Sequence, residues 1–213
     1  MAVTFDAASS NQTTGTVITF PHTVTGDVNR YLAVSLCTGF DATITSITYT
    51  GVALTQRLTQ LNAAGTRKVW YYDLVAPAAG TNNIVVTFGE SNAASICGQS
   101  CYGVDQTTPR SNTNTASGTS AAPAMTLTSA VGEIALAFVG WRSVGPITDT
   151  PDATWTTDSN LENGSQGGSG AHEDGAASVT RTDALSGSAS WAVVGASLTA
   201  GAAPDTIIGG GAM

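Results

Sequence analysis

"ITSITYTGVALTQRLTQ", Ile44–Gln60, consists of two strand-forming runs around one turn at Thr50-Gly51. It is rich in threonine, whose branched Cβ packs well on a pleated surface. Nothing in it takes up a proton at neutral pH or suits a metal ion. It reads as scaffold, and the same texture extends along the chain. Hydroxyls supply the polarity, with 33 Thr and 20 Ser, while only 10% of residues are charged, against roughly 25% in an average domain. With 42% hydrophobic residues and 24 Gly among 213 residues, the balance is a globular all-β chain with many turns, long enough to bury a core.

Further strand-like runs follow at short intervals. They include "TVITF" (16–20), "RYLAVSLCT" (30–38), "RKVWYYDL" (67–74), "NNIVVTF" (82–88), "EIALAFVGW" (133–141), "ASVTRT" (177–182) and "SASWAVVGASLTA" (188–200). They alternate with period two between Gly, Pro, Asn and Asp, as in a sandwich or barrel. No helix start and stop signals accompany them. The order of segments repeats: "NRYLAVSLCTG" resembles "GEIALAFVGWRS", and the runs after each keep the same sequence of motifs. Residues 29–105 and 132–200 thus read as two degenerate copies of one supersecondary unit. Each is small for a separate core, so the expectation is one jelly-roll-like antiparallel β-sandwich over residues 16–200, with one shared core. Residues 1–15 and 201–213 are expected as arms outside it. "LENGSQGGSGAHEDGA" (161–176) reads as a long glycine-rich loop, and 107–123 as a polar connection.

The net charge of −8 argues against phosphate-mediated nucleic-acid binding, which needs clustered Lys and Arg, and against an anionic membrane surface. The N-terminal residues have neither the basic nor the apolar region of a signal peptide, and no run of 18 apolar residues occurs. Cys37, Cys97 and Cys101 are odd in number. On one strand, Cys97 and Cys101 would sit about 13 Å apart, too far to bridge. All three read as small core residues kept reduced.

Few residues suggest chemistry. His172-Glu173-Asp174 is the one cluster that suggests a titrating site, but adjacent side chains on a loop diverge, and no G-x-S-x-G elbow accompanies them. Asp149, Asp152 and Asp158 offer oxygen ligands without the EF-hand glycine and terminal glutamate. Glu90, Glu133, Glu162 and Glu173 do not form the paired carboxylates of a glycosidase. Asp73 is the only mid-strand acid expected to be buried, and no partner for it is visible. Dinucleotide, P-loop and HExxH motifs are absent, so neither catalysis nor a cofactor is expected. Among the aromatics, Trp70 and Trp191 lie inside alternating runs and are expected in the core. Trp141 and Trp155 lie at strand ends and are the candidates for a glycan or partner contact.

The order of "RYLAVSLCTG", "ITSITYTGVALTQ", "KVWYYDL", "VTF" and "GVDQTTP", then "GEIALAFVGW", "WTT" and "SASWAVVGASL", resembles a loosely defined group of β-sandwich proteins from tailed phages and bacteria. The likeness covers about residues 29–200. It implies a virion surface component assembled in the host cytoplasm. The first form of this is a capsid decoration (cement) protein, expected as a trimer held on the major capsid protein. The other form is a glycan-binding tail-fibre or adhesin module. The resemblance supplies no catalytic residue. For the decoration reading, the expected assembly contacts are the apolar anchors of the arms: Val3, Phe5, Ile207 and Ile208.

Overall fold

The computed structural model describes residues 1–25, 27–163 and 166–202, with the backbone alone at Asn163. It is all-β, built from antiparallel sheets. The stretch 44–60 becomes β3 (Ile44–Tyr49), β4 (Val52–Ala53) and most of β5 (Thr55–Leu61). Thr50 and Gly51 have φ of 52° and 79°. Two left-handed residues make the hairpin turn whose twist matches that of the strands it joins. Strand β5 does not continue this hairpin. It pairs instead with β6 (Arg67–Val75), at the far end of a sheet ordered β4-β3-β7-β2-β6-β5. Only Leu54 separates the two edge strands, so the sheet must curl until its edges nearly meet.

Two long strands carry this curl. β1 (Thr4–Val24) runs antiparallel along β7 (Gly80–Tyr102), with a break in register between Gly15 and Val17. β7 changes partner along its length: Ile84–Phe88 pair with β3, and Ser95–Cys101 pair with β2 (Tyr31–Gly39). Strands that cross between layers in this way form the corners of sandwiches. Ile18, Phe20, Leu32, Leu36, Ile47, Tyr49, Trp70 and Val86 fill the curl.

The same pairings recur in the rest of the chain. β8 (Arg110–Ser120) pairs with β15 (Ala189–Leu198), and β9 (Ala124–Thr128) pairs with β14 (Ser178–Leu185); together they repeat β1 on β7. β10 (Ile134–Arg142) lies between β13 (Gln166–Asp174) and β15, as β2 lies between β6 and β7. β12 (Thr156–Asn163) edges β13 as β5 edges β6, and β11 (Asp149–Pro151) pairs with β14 as β3 pairs with β7. The pattern spans 4–102 and 110–198. Both spans begin earlier than the sequence repeat because β1, β8 and β9 belong to it. Residues 4–15, expected as an arm, are the first half of β1.

The single shared core expected from the sequence is replaced by three clusters. One lies inside the first half and one inside the second, around Trp141, Trp155, Trp191, Val193 and Leu127. The third is a seam between the halves, where Tyr31, Cys37, Tyr71, Cys97 and Cys101 meet Leu136, Phe138, Val194 and Leu198. Central strands apolar on both faces make this possible: every residue of β2 from Tyr31 to Thr38 and of β10 from Ile134 to Trp141 is buried. Across the seam β2 packs on β10, β6 on β15, β7 on β13, β1 on β12 and β5 on β8. That order reads the same from either half, as an approximate two-fold axis along the strands requires.

The glycine-rich segment is also corrected. Its residues 161–163 and 166–174 are strand, not loop, paired in the ladder of β12 on β13. Its glycines are small because neighbours lie on them. Gly167, Trp141, Trp191 and Gly118 stand in one row across four strands. Trp141 covers Gly167, and Trp191 covers Gly118. A Cβ at Gly170 would lie 2.6 Å from Cys97 Sγ.

Candidate functional site

The chemistry-bearing side chains gather at two equivalent places on the seam. In the first, β5 bulges between Gln56 and Leu58, which turns Arg57 inward. Its Nε donates to Asp73 Oδ1 at 2.7 Å. Tyr31 Oη donates to Asp73 Oδ2 at 2.7 Å and lies 3.2 Å from Tyr71 Oη. Arg110, from the other half, closes the group by donating to Asp73 Oδ2. Asp73 is fully buried with two guanidiniums against it, the condition under which a buried carboxylate is tolerated. Burial drives the Tyr31 and Tyr71 hydroxyls above their ordinary range, so they serve as neutral donors.

The second place is built alike. β12 bulges between Thr157 and Ser159, which turns Asp158 inward. Asp158 Oδ1 lies 2.8 Å from His172 Nδ1, and its Oδ2 accepts from Gln99 Nε2, of the other half, at 2.6 Å. Phe5, also from the other half, stacks on the His172 ring at 3.7 Å between centroids and 8° between planes. Counted along the ladders, Arg57 corresponds to Asp158, Asp73 to His172 and Arg110 to Phe5. At the bulged position the halves therefore carry opposite charges, Arg57 in one and Asp158 in the other.

A third group lies inside the second half. Arg181, completely buried, donates from Nε to both oxygens of Asp183 at 2.9 and 3.0 Å. Its Nη1 donates to the carbonyls of Ala137 and Ser169, and Nη2 lies 3.4 Å from Asp149 Oδ2. Two buried acids share one guanidinium. Desolvation raises both, Asp183 to about 6, with Arg181 opposing the shift. Glu133 is held likewise by the hydroxyls of Ser111, Ser129 and Ser197.

Several expected site residues lie elsewhere than the sequence suggested. Trp141 is 0% and Trp155 5% exposed, so neither presents a ring to a glycan or partner. Both sit at strand ends, but at opposite ends of the sheet, and both pack in one cluster with Met125, Leu127, Val179 and Leu185 of the three-stranded layer β11-β14-β9. Trp155 also donates its ring N–H to Thr180 O at 3.1 Å. Val3 and Phe5 are not free anchors: Val3 is buried in the seam and Phe5 packs against it. Ile207 and Ile208 lie outside the described residues. His172 belongs to a strand, not a solvated loop. Asp152 caps a turn through Thr154 N–H at 3.0 Å, so Asp149, Asp152 and Asp158 each answer to protein donors. The three cysteines are free and buried, and burial raises Cys37 and Cys97 to about 12. Among the described residues no three His, Cys, Asp or Glu form a metal-ligating group.

One contact escaped sequence reasoning. Ser9 Oγ lies 2.8 Å from His22 Nδ1. Their strands are one strand, β1, on either side of its break, so no spacing signal announces the pair. His22 is buried, and desolvation lowers it to about 4 despite Asp6 nearby. Its Nε2 meets no partner among the described residues. A substrate has no approach to this ring, so the pair is part of the interior.

No known protein family, no curated protein and no solved structure matches the chain.

Proposed function

We propose that this chain is a non-enzymatic structural protein of a virion, a capsid decoration protein that binds the outer surface of a capsid as a trimer, and that its halves are two copies of one unit. One observation carries the reading: the buried charged side chains hold the protein together. Asp73 with Arg110, Asp158 with Gln99 and His172 with Phe5 join the halves, and Arg181 with its two acids fastens the second half. Such a chain offers a stiff body. A rigid two-lobed β-body suits a clamp over neighbouring capsid subunits, where several weak contacts add up through multivalency. Because Val3 and Phe5 are built into the seam, the attachment contacts on this reading come from outer edges and loops.

The test is gel filtration of the purified protein with and without capsids made from the major capsid protein encoded with it, alongside native mass spectrometry of the free protein. Co-elution at saturable stoichiometry and a trimeric mass are expected. A monomer that stays off every capsid overturns the reading. The glycan-binding alternative has lost its Trp141–Trp155 platform and needs a different site.

A further inference from the structure

At one end of the seam the halves carry equivalent grooves of opposite character. In the first half the groove lies between the loop after β2 and the break in β7, lined by Asp41, Thr43, Glu90 and Asn92. In the second it lies between the loop after β10 and the link from β14 to β15, lined by Thr119, Arg142, Ser143, Val144, Ser188 and Ser190. The second has a volume of about 430 Å³, within the range of ligand sites.

The fold does not explain Arg142. Counted along the β2–β6 and β10–β13 ladders, its equivalent is Gly39, so a glycine satisfies the same backbone position. Arg57, Arg110 and Arg181 are bound to internal acids. Arg30 donates to the carbonyls of Asp27 and Pro77, and Lys68 lies over Trp70. Arg142 is exposed and enters no ion pair among the described residues. Arg67 donates to the carbonyl of Thr66; burial lowers its pKa, with Arg142 adding to the shift and Cys37 and Asp41 opposing it. An exposed cation without an internal partner, on a protein with net charge −8, prepares a place for an anion.

The rest of the groove selects among anions. The hydroxyls of Thr119, Ser188 and Ser190 line the groove with Arg142, while Ser143 donates to the carbonyl of Gly145; Ser190 is anchored because its Oγ accepts Ala64 N–H at 2.8 Å. Hydroxyls of this kind donate to and accept from the hydroxyls of a sugar. Val144, 107% exposed on the rim, offers apolar surface for the C–H face of a pyranose. A planar guanidinium binds a carboxylate bidentately. We infer that this groove binds a carboxylated saccharide, with Arg142 on the carboxylate and the serine and threonine hydroxyls on the ring. The site does not depend on the capsid reading, and it gives a surface protein a means of touching acidic glycans.

Titration calorimetry with 3′-sialyllactose and with trigalacturonate, each against neutral lactose, tests the inference on the full chain. At least one acidic probe is expected to bind saturably and at least tenfold more tightly than lactose. Arg142→Gln should remove at least tenfold of that affinity, Val144→Asp should weaken it as well, and Asp41→Asn in the other groove should leave it unchanged. Circular dichroism and melting of each variant verify folding. Absence of saturable binding by both acidic probes overturns the inference, as does binding indifferent to Arg142→Gln. Equal competition by sodium acetate also overturns it, since the site would then be for a bare anion.

Discussion

Cys37 and Gly140 occupy equivalent positions in the two halves, and they meet each other across the seam. A Cβ built on Gly140 would lie 2.7 Å from Cys37 Cβ and 2.8 Å from its Sγ. The approximate two-fold axis passes between them, and the two backbones approach so closely here that there is room for one side chain only. Gly140→Ala should therefore destabilise by about 1–3 kcal/mol, the usual range for overpacking. Cys37→Gly in the Gly140→Ala background should recover part of the loss, because the residues are in direct contact and their effects are not additive. Urea midpoints of the wild type, both single variants and the double variant measure the coupling. Strict additivity would mean that the contact carries no energy.

The ionic group around Asp73 makes a second expectation. Asp73→Ala leaves Arg57 and Arg110 facing each other without a counter-charge. Removing one member of a buried ionic group costs about 3–5 kcal/mol. Because Arg110 comes from the other half, the unfolding transition should also broaden as the halves lose their connection. Urea unfolding followed by fluorescence is the measurement. A shift under about 1 kcal/mol would show that solvent enters the site freely.

Acid weakens the protein through His22. Burial holds its folded pKa at about 4, against about 6.5 for an unfolded histidine. Between those values the unfolded chain takes up a proton that the native state refuses. The contribution is therefore complete above pH 6.5 and is lost as pH falls toward 4, by at most about 3 kcal/mol. Asp183 acts in the opposite sense: its folded pKa, raised to about 6, gives stability below the unfolded carboxylate range that disappears as pH rises through 6. His22→Gln separates the two. Relative to that variant, the wild type should lose about 2–3 kcal/mol between pH 7 and pH 4.5, read from urea midpoints. A difference independent of pH would contradict the buried neutral ring.

The tryptophans give an optical test. Trp70, Trp141, Trp155 and Trp191 are all buried, at 6, 0, 5 and 7% exposure. Native emission should be blue and poorly quenched by acrylamide, and should become red and quenchable only on unfolding. Gly167→Val pushes Trp141 out of its place and should raise both quenching and emission wavelength.

The cysteines respond to the same burial. Native protein should react negligibly with a thiol reagent at pH 8, since Cys37 and Cys97 are raised to about 12 and are shielded from solvent. In denaturant without reductant, three thiols should appear. Fewer would reveal a bridge.

The sequence by itself determined the texture of the molecule. Period-two runs are a local property of the strand, so β2, β3, β6, β10 and β15 were legible residue by residue, as were the buried cysteines and the core positions of Trp70 and Trp191. The tertiary structure decided what depends on neighbours distant in the chain. Glycines at 167, 168 and 170 read as loop by composition, yet they are strand residues because Trp141, Phe138 and Cys97 lie over them. Trp141 and Trp155 read as strand-end side chains open to a ligand, and a separate layer of strands covers them. Asp73 acquired its partners from Arg57 and Arg110, 16 and 37 residues away, one of them aimed by a β-bulge. Alternation along a strand says which side chains share a face. It does not say what packs on that face, because that follows from sheets curling and docking across the whole chain.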